Sequence, residues 1–178
     1  MGYFEQTVDS ELIFKGRVVT LKKDSARLDN GKVVSREVIE HSGGVGIVPI
    51  DDNGYVYMVR QFRYPLQKEL LEIPAGKLEY GEDPAECAVR ELSEETGCTA
   101  EKMIYLGAVY SSPGFCDEIL HIYLALGLTQ GEAHLDEDEF LSVEKVHIDK
   151  LIDMMMTDDL KDGKTVVGLL KAKVYLER

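Results

Sequence analysis

The stretch from residue 76 to residue 98 constrains the fold of this chain more than any other, because it encodes a helix together with both of its ends. Asp83 is a favourable N-cap residue, and Pro84 suits the first position of the helix that follows it. Gly97 can adopt the left-handed conformation with which many helices end. The sequence therefore predicts a helix of about three and a half turns between these signals.

The side chains of this predicted helix separate into an apolar side and an acidic side. The apolar side is expected to pack on the body of the protein and consists of Ala85, Ala88, Val89 and Leu92. Glu91, Glu94 and Glu95 gather on another side, where like charges weaken an isolated helix by about 0.2–0.5 kcal/mol per pair. Clustered carboxylates suit a hard divalent cation, whereas a solvated acidic face is the alternative that spacing alone leaves open.

The order of residues in this stretch resembles the signature of the Nudix hydrolases at every fixed polar and glycine position. The pattern is Gly76, five residues, Glu82, seven residues and then Arg90-Glu91-Leu92-x-Glu94-Glu95-x-Gly97. Cys98 replaces the usual aliphatic residue, which is a soft departure because cysteine behaves as a small hydrophobe. The resemblance implies an α/β (α+β) Nudix fold, in which mixed β-sheets are sandwiched between helices. It also implies hydrolysis of a nucleoside diphosphate linked to another group, with a divalent metal held by the helix.

Length and composition fit a single domain spanning residues 1–178. A chain of 178 residues buries a substantial core, and its hydrophobic fraction of 44% and charged fraction of 30% are typical of a globular protein. We expect residues 1–42 to form an N-terminal β-sheet region and residues 43–178 to form the Nudix core. No apolar run approaches the roughly 18 residues that a membrane-spanning helix needs, and no secretory leader is evident.

Charge and cysteine usage limit the partners and the compartment. The net charge of −13, from 20 basic and 33 acidic residues, argues against a nucleic-acid or anionic-membrane partner. A diphosphate substrate then requires metal ions to neutralise both the carboxylates and the phosphate oxygens. The three cysteines are odd in number and lack metal-ligand spacing, which favours a reducing cytoplasm over a disulfide framework.

The N-terminal part of the chain has the pattern of an antiparallel sheet. Strand-like segments at Val18–Leu21 and Lys32–Ile39 flank Asp29-Asn30-Gly31, a strong hairpin signal. In the branch of the Nudix family that this chain resembles, such a sheet exchanges contacts with a second subunit, so a homodimer is expected. Arg36 and Glu37 are then candidates for nucleotide contacts, with ordinary outward-facing strand residues as the alternative.

Two segments resemble substrate-binding segments of Nudix enzymes. Gln61–Pro65 resembles one found in enzymes that hydrolyse ADP-sugars, and Arg63 is assigned to the diphosphate because a guanidinium forms paired bonds to phosphate oxygens. Pro113, sixteen residues beyond the closing glycine of the signature, lies in a Ser-Pro-Gly-x-x-x-Glu sequence similar to that of the ADP-ribose pyrophosphatase subfamily. Glu118 is a candidate for a metal-bound water or the terminal ribose, or a plain strand-start residue. Glu72 resembles a family residue near the pocket, with no role assigned.

The resemblance also implies the metal ligands. Glu91 and Glu95 are expected to be direct ligands of Mg²⁺ (or Mn²⁺), joined by the backbone carbonyl of Ala75. Of Glu94 and Glu82, one is expected to be a further metal ligand and the other to hydrogen-bond or pair with the ligands without touching the metal. The sequence leaves open which residue has which role. Two carboxylates one helical turn apart suit cations that prefer oxygen donors.

The remaining catalytic groups are implied by position within the family pattern. Arg90 is expected to orient the carboxylates through ion pairs. A glutamate of the polar loop at residues 129–139 is expected to act as catalytic base, with Glu137 as the first choice and Glu139 as the second. Glu94 is included among the catalytic candidates as well as among the ligands. The implied reaction is ADP-ribose plus water giving AMP and ribose 5-phosphate.

Three alternatives to this reaction stay open. In the first, the same reaction acts on another ADP-sugar, a GDP-sugar, NADH or a nucleoside triphosphate. In the second, the chain is a regulatory domain that binds ADP-ribose without cleaving it. In the third, the acidic helix is only a solvated face of an interaction domain. The complete set of signature carboxylates opposes the second alternative.

Further strands are expected at residues 45–50, 102–110, 118–125 and 140–146, a hairpin turn at 52–54 leading into a strand at 55–60, and helices at 149–156 and 164–176.

Overall fold

The structure is a computed structural model that describes residues 3–134 and 140–178 of the chain. The strands of this described part are β1 (Gln6–Lys15), β2 (Thr20–Arg27), β3 (Val33–Glu40), β4 (Gly44–Pro49), β5 (Tyr55–Arg63), β6 (Lys68–Glu72), β7 (Ala75–Lys77), β8 (Cys98–Tyr110), β9 (Ile119–Gln130) and β10 (Leu141–His147). The α-helices are α1 (Pro84–Thr96), α2 (Ile148–Met156) and α3 (Gly163–Leu176). Two compact units are formed, one by Met1–Gly43 with Tyr110–Ile119 and the other by Gly44–Val109 with Leu120–Arg178.

The first unit contains an antiparallel three-stranded sheet in the order β1-β2-β3. The predicted hairpin is confirmed: β2 and β3 pair from Thr20 opposite Glu40 to Arg27 opposite Val33. Gly31, with a φ of +82°, supplies the left-handed residue of the turn. The division into an N-terminal region 1–42 and a core 43–178 of one domain stays a prediction.

The second unit contains two sheets. In the first, with the order β7-β4-β9-β8, strand β4 pairs antiparallel with β7 and parallel with β9, so the sheet is mixed. The second sheet, β10-β5-β6, is antiparallel. Mixed sheets in an α+β arrangement are the predicted fold class, which is confirmed.

Helices cover both faces of the mixed sheet because the side chains of β4 alternate between two apolar layers. Val45 and Ile47 belong to the layer that packs on α1. Val48 belongs to the other layer, together with Leu151 of α2 and Leu169 of α3. All five side chains have no exposed surface. The predicted sandwich of helix, sheet and helix follows from this alternation.

The predicted hairpin at residues 52–54 is wrong in one respect. A tight turn is present, since the Gly54 N–H donates to the Asp51 carbonyl at 3.0 Å. The strands on its two sides belong to different sheets, however, and are linked only by an isolated bridge between Ile50 and Val56 within the described part of the chain. The turn residues determine where the chain reverses direction. The sheet to which each strand belongs is determined by longer-range pairing of β4 with β9 and of β5 with β10.

Helix α1 begins and ends where the sequence predicts. The Asp83 carboxylate accepts the N–H of Ala85 at 2.8 Å, and Gly97 takes a φ of +70°. The C-terminal helices also agree with expectation, since α2 and α3 each begin one residue earlier than predicted. No helix within the described residues has the length and apolar character that crossing a bilayer requires.

The buried face of α1 differs from the predicted one. Ala88 and Leu92 are buried as expected, but Ala85 is exposed and Val89 is 53% exposed. The buried face instead takes in four other side chains: Cys87, Glu91, Glu95 and Thr96. Apolar spacing misplaces this face because two glutamates, which a hydrophobic pattern assigns to solvent, are turned inward.

Candidate metal and substrate site

Strand β7 lies against α1 through its first two residues. The Ala75 N–H donates to Oε2 of Glu95 at 2.9 Å. Gly76 approaches Glu91 so closely that a Cβ at position 76 would lie 1.8 Å from Oε1 of that glutamate. Pairing of Ala75 with Gly46 of β4 holds the backbone in place. Two glutamates one helical turn apart therefore meet the main chain of β7.

Arg90 contacts three carboxylates at the same end of the site. Its Nε and Nη2 donate to the two oxygens of Glu82 at 3.0 and 3.1 Å. Its Nη1 donates to Glu91 at 2.7 Å and to Glu94 at 2.9 Å. The bidentate geometry with Glu82 is the strong form of a guanidinium–carboxylate pair. Arg90 thus ties the loop before α1 to the acidic face of the helix.

Ion pairing fixes the protonation of the groups around Arg90. Hydrogen bonds from Arg90, followed by one from the Glu79 N–H at 2.9 Å, lower the pKa of Glu82 to about 2. The same pair with Glu82, and those with Glu91 and Glu94, raise the pKa of Arg90. Burial raises the pKa of the Cys87 thiol to about 12, so this thiol is protonated at neutral pH. Its sulfur lies 3.3 Å from Nη2 of Arg90 and packs against the guanidinium as a neutral group.

The donor atoms of this site fit a hard divalent cation. Glu91 and Glu95 are only 7% and 2% exposed, and burying carboxylates is costly unless positive charge lies beside them. Within residues 3–134 and 140–178, no three acidic, cysteine or histidine side chains form a ready-made metal cluster. The fitting donor set therefore combines the two glutamates with a main-chain oxygen, that of Ala75. Carboxylate and carbonyl oxygens are the ligands that Mg²⁺ and Mn²⁺ prefer.

Arg63, at the end of β5, forms a bidentate ion pair with Glu72 at the end of β6. Its Nε and Nη2 donate to the two carboxylate oxygens at 2.8 and 2.6 Å. The Glu72 side chain is 1% exposed, whereas that of Arg63 is 38% exposed. The pair with Glu72 raises the pKa of Arg63, and the charges of Asp162 and Glu95 add to this effect. Arg63 is therefore influenced by the charge of Glu95 on α1.

A second cation reaches Glu72 from α3. Lys164 donates to Oε2 of Glu72 and, at 2.9 Å, to Oδ2 of Asp162. Burial raises the pKa of Glu72, but the hydrogen bonds and charges of Arg63 and Lys164 outweigh burial and hold that pKa below its usual value. Glu72 is consequently a buried carboxylate that stays ionised between two cations.

The predicted substrate residues Arg36 and Glu37 lie in the first unit, on β3. Arg36 forms a bidentate pair with Glu5, with Nε and Nη2 donating at 2.9 and 2.8 Å. Both side chains are exposed, and Glu37 is exposed as well. The structure describes these residues as outward-facing, and their proposed nucleotide contacts stay a prediction.

The other two substrate candidates, Pro113 and Glu118, also lie in the first unit. Pro113 is exposed in a turn closed by the Ser112 carbonyl, which accepts the N–H of Phe115 at 3.1 Å. Oε1 of Glu118 lies 3.4 Å from Nδ1 of His41. Their assigned roles stay predictions.

The two loop glutamates considered as catalytic base, Glu137 and Glu139, lie outside the described residues. The chain just before them is attached to the C-terminal end of α1. The Gly131 N–H donates to the Gly97 carbonyl at 2.8 Å, and the His134 N–H donates to the Glu94 carbonyl at 3.0 Å. The polar loop thus leaves from the helix that carries the acidic signature residues.

The structure brings together one group of predicted residues: Ala75, Glu82, Arg90, Glu91, Glu94 and Glu95. Arg63 interacts with this group through the negative charge of Glu95, which contributes to raising the pKa of the guanidinium. Lys164 is a contact of the site that sequence reasoning missed, because it lies 92 residues from Glu72 along the chain. Asp162, a residue type that favours helix N-caps, is a sequence signal for the start of α3, but it does not reveal the neighbours of Lys164.

Comparisons with known proteins find a matching family model, similar sequences and a similar fold. The family model described as the NUDIX domain matches residues 40–166. An ADP-ribose pyrophosphatase of Bacillus subtilis (strain 168) is 43% identical over 167 residues, which cover 93% of this chain and 90% of that protein. A methanol dehydrogenase activator of Bacillus methanolicus is 45% identical, with the same coverage of 93% and 90%. The crystal structure of an ADP compounds hydrolase shares the fold, with a TM-score of 0.86, 23% identity and coverage of 97% of this chain and 94% of that one.

Proposed function

Because the chain belongs to the Nudix family, we propose that it is a metal-dependent pyrophosphohydrolase that cleaves the diphosphate of ADP-ribose to AMP and ribose 5-phosphate. The observation that carries the chemistry is the buried pair of Glu91 and Glu95 against the main chain of β7. The observation that favours ADP-ribose is the similarity over 93% of the chain to an ADP-ribose pyrophosphatase.

The metal is proposed to be Mg²⁺, with Mn²⁺ as a substitute, held by Glu91, Glu95 and the Ala75 carbonyl. When bound, such an ion lowers the pKa of the attacking water and offsets charge on the phosphoryl oxygens. Arg90 orients the carboxylates through its bonds to Glu91 and Glu94. Glu94 serves as a further ligand or as a catalytic carboxylate.

Arg63 is proposed to bind the substrate diphosphate. Glu72 holds its guanidinium through Nε and Nη2, and the side chain is still 38% exposed. A guanidinium fixed in this way is already ordered before the substrate arrives, which reduces the entropy lost on binding. Four more residues are proposed as substrate contacts: Arg36, Glu37, Pro113 and Glu118.

A loop glutamate is proposed as the general base, with Glu137 preferred to Glu139. The base takes a proton from water as the new O–P bond forms, and the P–O bond to the leaving phosphate breaks. Attachment of Gly131 and His134 to the end of α1 supports this assignment, since it starts the loop at the acidic helix.

The chain is also proposed to act as one domain, residues 1–178, that forms a homodimer through its N-terminal sheet. Strand β1 supports this proposal, because all of its residues are exposed and it forms the edge of its sheet. An exposed apolar edge strand is an aggregation hazard unless a partner covers it.

The three cysteines are free, which fits a reducing, cytoplasmic compartment.

A second function is favoured by the relative from Bacillus methanolicus, a methanol dehydrogenase activator at 45% identity. The same chain would then act on a methanol dehydrogenase. Adding the purified chain to such an enzyme, with and without an inactivating Glu95→Gln change, tests this function directly. An increase in dehydrogenase activity that depends on Glu95 would mean that activation uses the hydrolase site.

Product release from a panel of substrates tests the hydrolase proposal. The panel is ADP-ribose, ADP-glucose, GDP-mannose, NADH and ATP, each with Mg²⁺ and with EDTA. AMP formed fastest from ADP-ribose, and only with metal, is the expected result. Faster turnover of another panel member would change the proposed substrate but keep the proposed chemistry. Binding of ADP-ribose without turnover of any panel member would favour the regulatory alternative. Reaction in H₂¹⁸O reports, from the labelled product, which phosphorus is attacked.

A further inference from the structure

Lys164 at the start of α3 occupies a position that the proposed mechanism does not use. Its side chain is 11% exposed, and its ammonium contacts two carboxylates, those of Glu72 and Asp162. A lysine ammonium with so little exposure to solvent destabilises the fold unless nearby carboxylates compensate its charge. Both compensating carboxylates lie in the second unit, and Glu72 is the last residue of β6.

The bonds around Lys164 close a ring between α3 and the end of β6. Asp162 accepts from Lys164 and also from Oγ1 of Thr165, at 2.9 and 2.6 Å. Oγ1 of Thr165 in turn accepts the N–H of Ile73 at 2.9 Å. Ile73 directly follows Glu72, so the ring returns to its starting point. Each member is fixed by two neighbours, which restricts the rotamers of the Glu72 carboxylate.

Arg63 is attached to this ring from the side that is open to solvent. Both nitrogens that bind Glu72 lie on one edge of the planar guanidinium, so the position of the carboxylate sets the plane and direction of the arginine. Without Glu72, Arg63 would be a long, flexible side chain that loses rotamer entropy when it is fixed in one orientation. The ring thus fixes the group to which the proposed function assigns the substrate diphosphate.

We propose that Lys164 is a positioning residue, which holds Glu72 so that Arg63 is oriented for a diphosphate, without touching the substrate itself. This inference rests on the proposed function for its substrate. The ammonium of Lys164 is engaged by two carboxylates and its side chain is only 11% exposed, which leaves contact with the substrate to Arg63.

A double-mutant cycle separates this role from its alternatives. Lys164→Met keeps the length of the side chain and removes its charge, and Lys164→Arg keeps the charge. We expect Lys164→Met to lower kcat/KM for ADP-ribose about tenfold, mainly through a higher KM, and Lys164→Arg to recover most of this loss. In an Arg63→Met background, Lys164→Met should cause no further fall. The matched control is Lys161→Met, which removes a lysine of the same segment that is 54% exposed and pairs with Asp158.

Two kinetic outcomes would overturn the inference. An equal fall in kcat/KM in both backgrounds would mean that Lys164 contacts the substrate directly. A lower melting temperature with unchanged kcat/KM would mean that the ring only stabilises the fold.

A spectroscopic readout makes this test independent of the substrate. The ¹⁵N resonance of the Arg63 Nε–H, identified by its loss in the Arg63→Met variant, should shift or broaden in Lys164→Met and stay in place in Lys161→Met. If the wild-type chain cleaves no ADP-ribose, the proposed function fails, yet a shifted resonance still supports control of Arg63 by Lys164. An unchanged resonance in Lys164→Met overturns that control whatever the substrate.

Discussion

Gly76 and Glu91 lie in contact, and a Cβ at position 76 would stand 1.8 Å from Oε1 and 2.5 Å from Oε2 of the glutamate. Neither oxygen can stay where it is if residue 76 has a side chain. The helix side of this contact is fixed, since Leu92 beside Glu91 is 1% exposed and packs in the core. The glycine of the signature is therefore required by the position of a carboxylate.

Gly76→Ala is expected to displace the Glu91 carboxylate and so to lower metal-dependent turnover by about 10–100-fold, the range found when groups supporting a metal site are lost. Steady-state AMP release across a Mg²⁺ titration measures the effect, which should include a weaker apparent affinity for metal. Gly163→Ala is the control, because a Cβ there would meet no atom within 4 Å. Normal activity of Gly76→Ala would exclude Glu91 from the metal site.

Glu95→Gln is expected to keep the fold and to lower turnover by orders of magnitude. The amide keeps an oxygen that can accept the Ala75 N–H but removes a negative charge from a side chain that is 2% exposed. The comparison is Glu86→Gln, an exposed glutamate of the same helix. Turnover and urea unfolding of both variants are measured together. Near-wild-type turnover of Glu95→Gln would remove Glu95 from the ligand set.

Glu137→Gln is expected to lower kcat by about 10²–10⁴-fold with little change in metal affinity, since general base catalysis contributes about that much. Glu139→Gln should have a much smaller effect. Single-turnover rates with saturating Mg²⁺ measure the two variants side by side. If only Glu139→Gln is slow, the assignment of the base is displaced by two residues. Equal rates for wild type and both variants would place the base elsewhere.

How far the sequence predicts this fold depends on how local the signal is. The ends of α1 were predicted because Asp83 and Gly97 act within one helical turn. The pairing around the turn at residues 52–54 was not, because β4 pairs with β7 and β9 and β5 pairs with β6 and β10, instead of forming a ladder with each other. Turn residues specify a reversal of direction and carry no information about these distant strands.

The candidate site divides in the same way. Spacing placed Glu91, Glu94 and Glu95 on one side of a helix, and the structure turns Glu91 and Glu95 inward. The ion pair of Glu72 with Lys164 joins residues 92 positions apart, so no local pattern reveals it. Burial of charged side chains is decided by partners in space, and a single sequence does not contain those distances.

The proposed dimer predicts that polar substitutions on β1 separate the subunits. Leu12 and Phe14 are 58% and 56% exposed on this edge strand. Replacing both with serine should therefore cost the isolated chain little core packing and yet remove apolar area from the interface. Sedimentation velocity should show two chains for wild type and one chain of 20.0 kDa for the variant. Val174→Ser, at a residue of α3 that is 53% exposed, is the control. A wild-type protein that sediments as one chain would refute the dimer.

Asp162 predicts a pH dependence of stability that is independent of metal binding. Burial raises the pKa of its carboxyl, but the charge of Lys164 and the hydrogen bonds from Thr165 and Lys164 outweigh burial and lower that pKa below the ordinary value of 3.8. The carboxylate is then ionised in both folded and unfolded states above about pH 4, where its stabilisation is fully present. Below that pH the unfolded chain takes up the proton first, so the stabilisation is lost as the pH falls through the folded-state pKa.

Asp162→Asn keeps a residue type suited to the N-cap of α3 but cannot carry the charge. We expect its free energy of unfolding at pH 7 to be about 1.5–3 kcal/mol below that of wild type, the usual contribution of a hydrogen bond to a charged group. The difference should shrink as the pH falls below about 4, because the unfolded wild-type chain then takes up a proton that the folded carboxylate resists, whereas asparagine does not titrate. Urea unfolding followed by circular dichroism at pH 7, 4, 3 and 2.5 measures it, with Asp153→Asn on the exposed side of α2 as the control. A difference that stays constant across this range would mean that the shape of the N-cap, and not its charge, stabilises the start of α3.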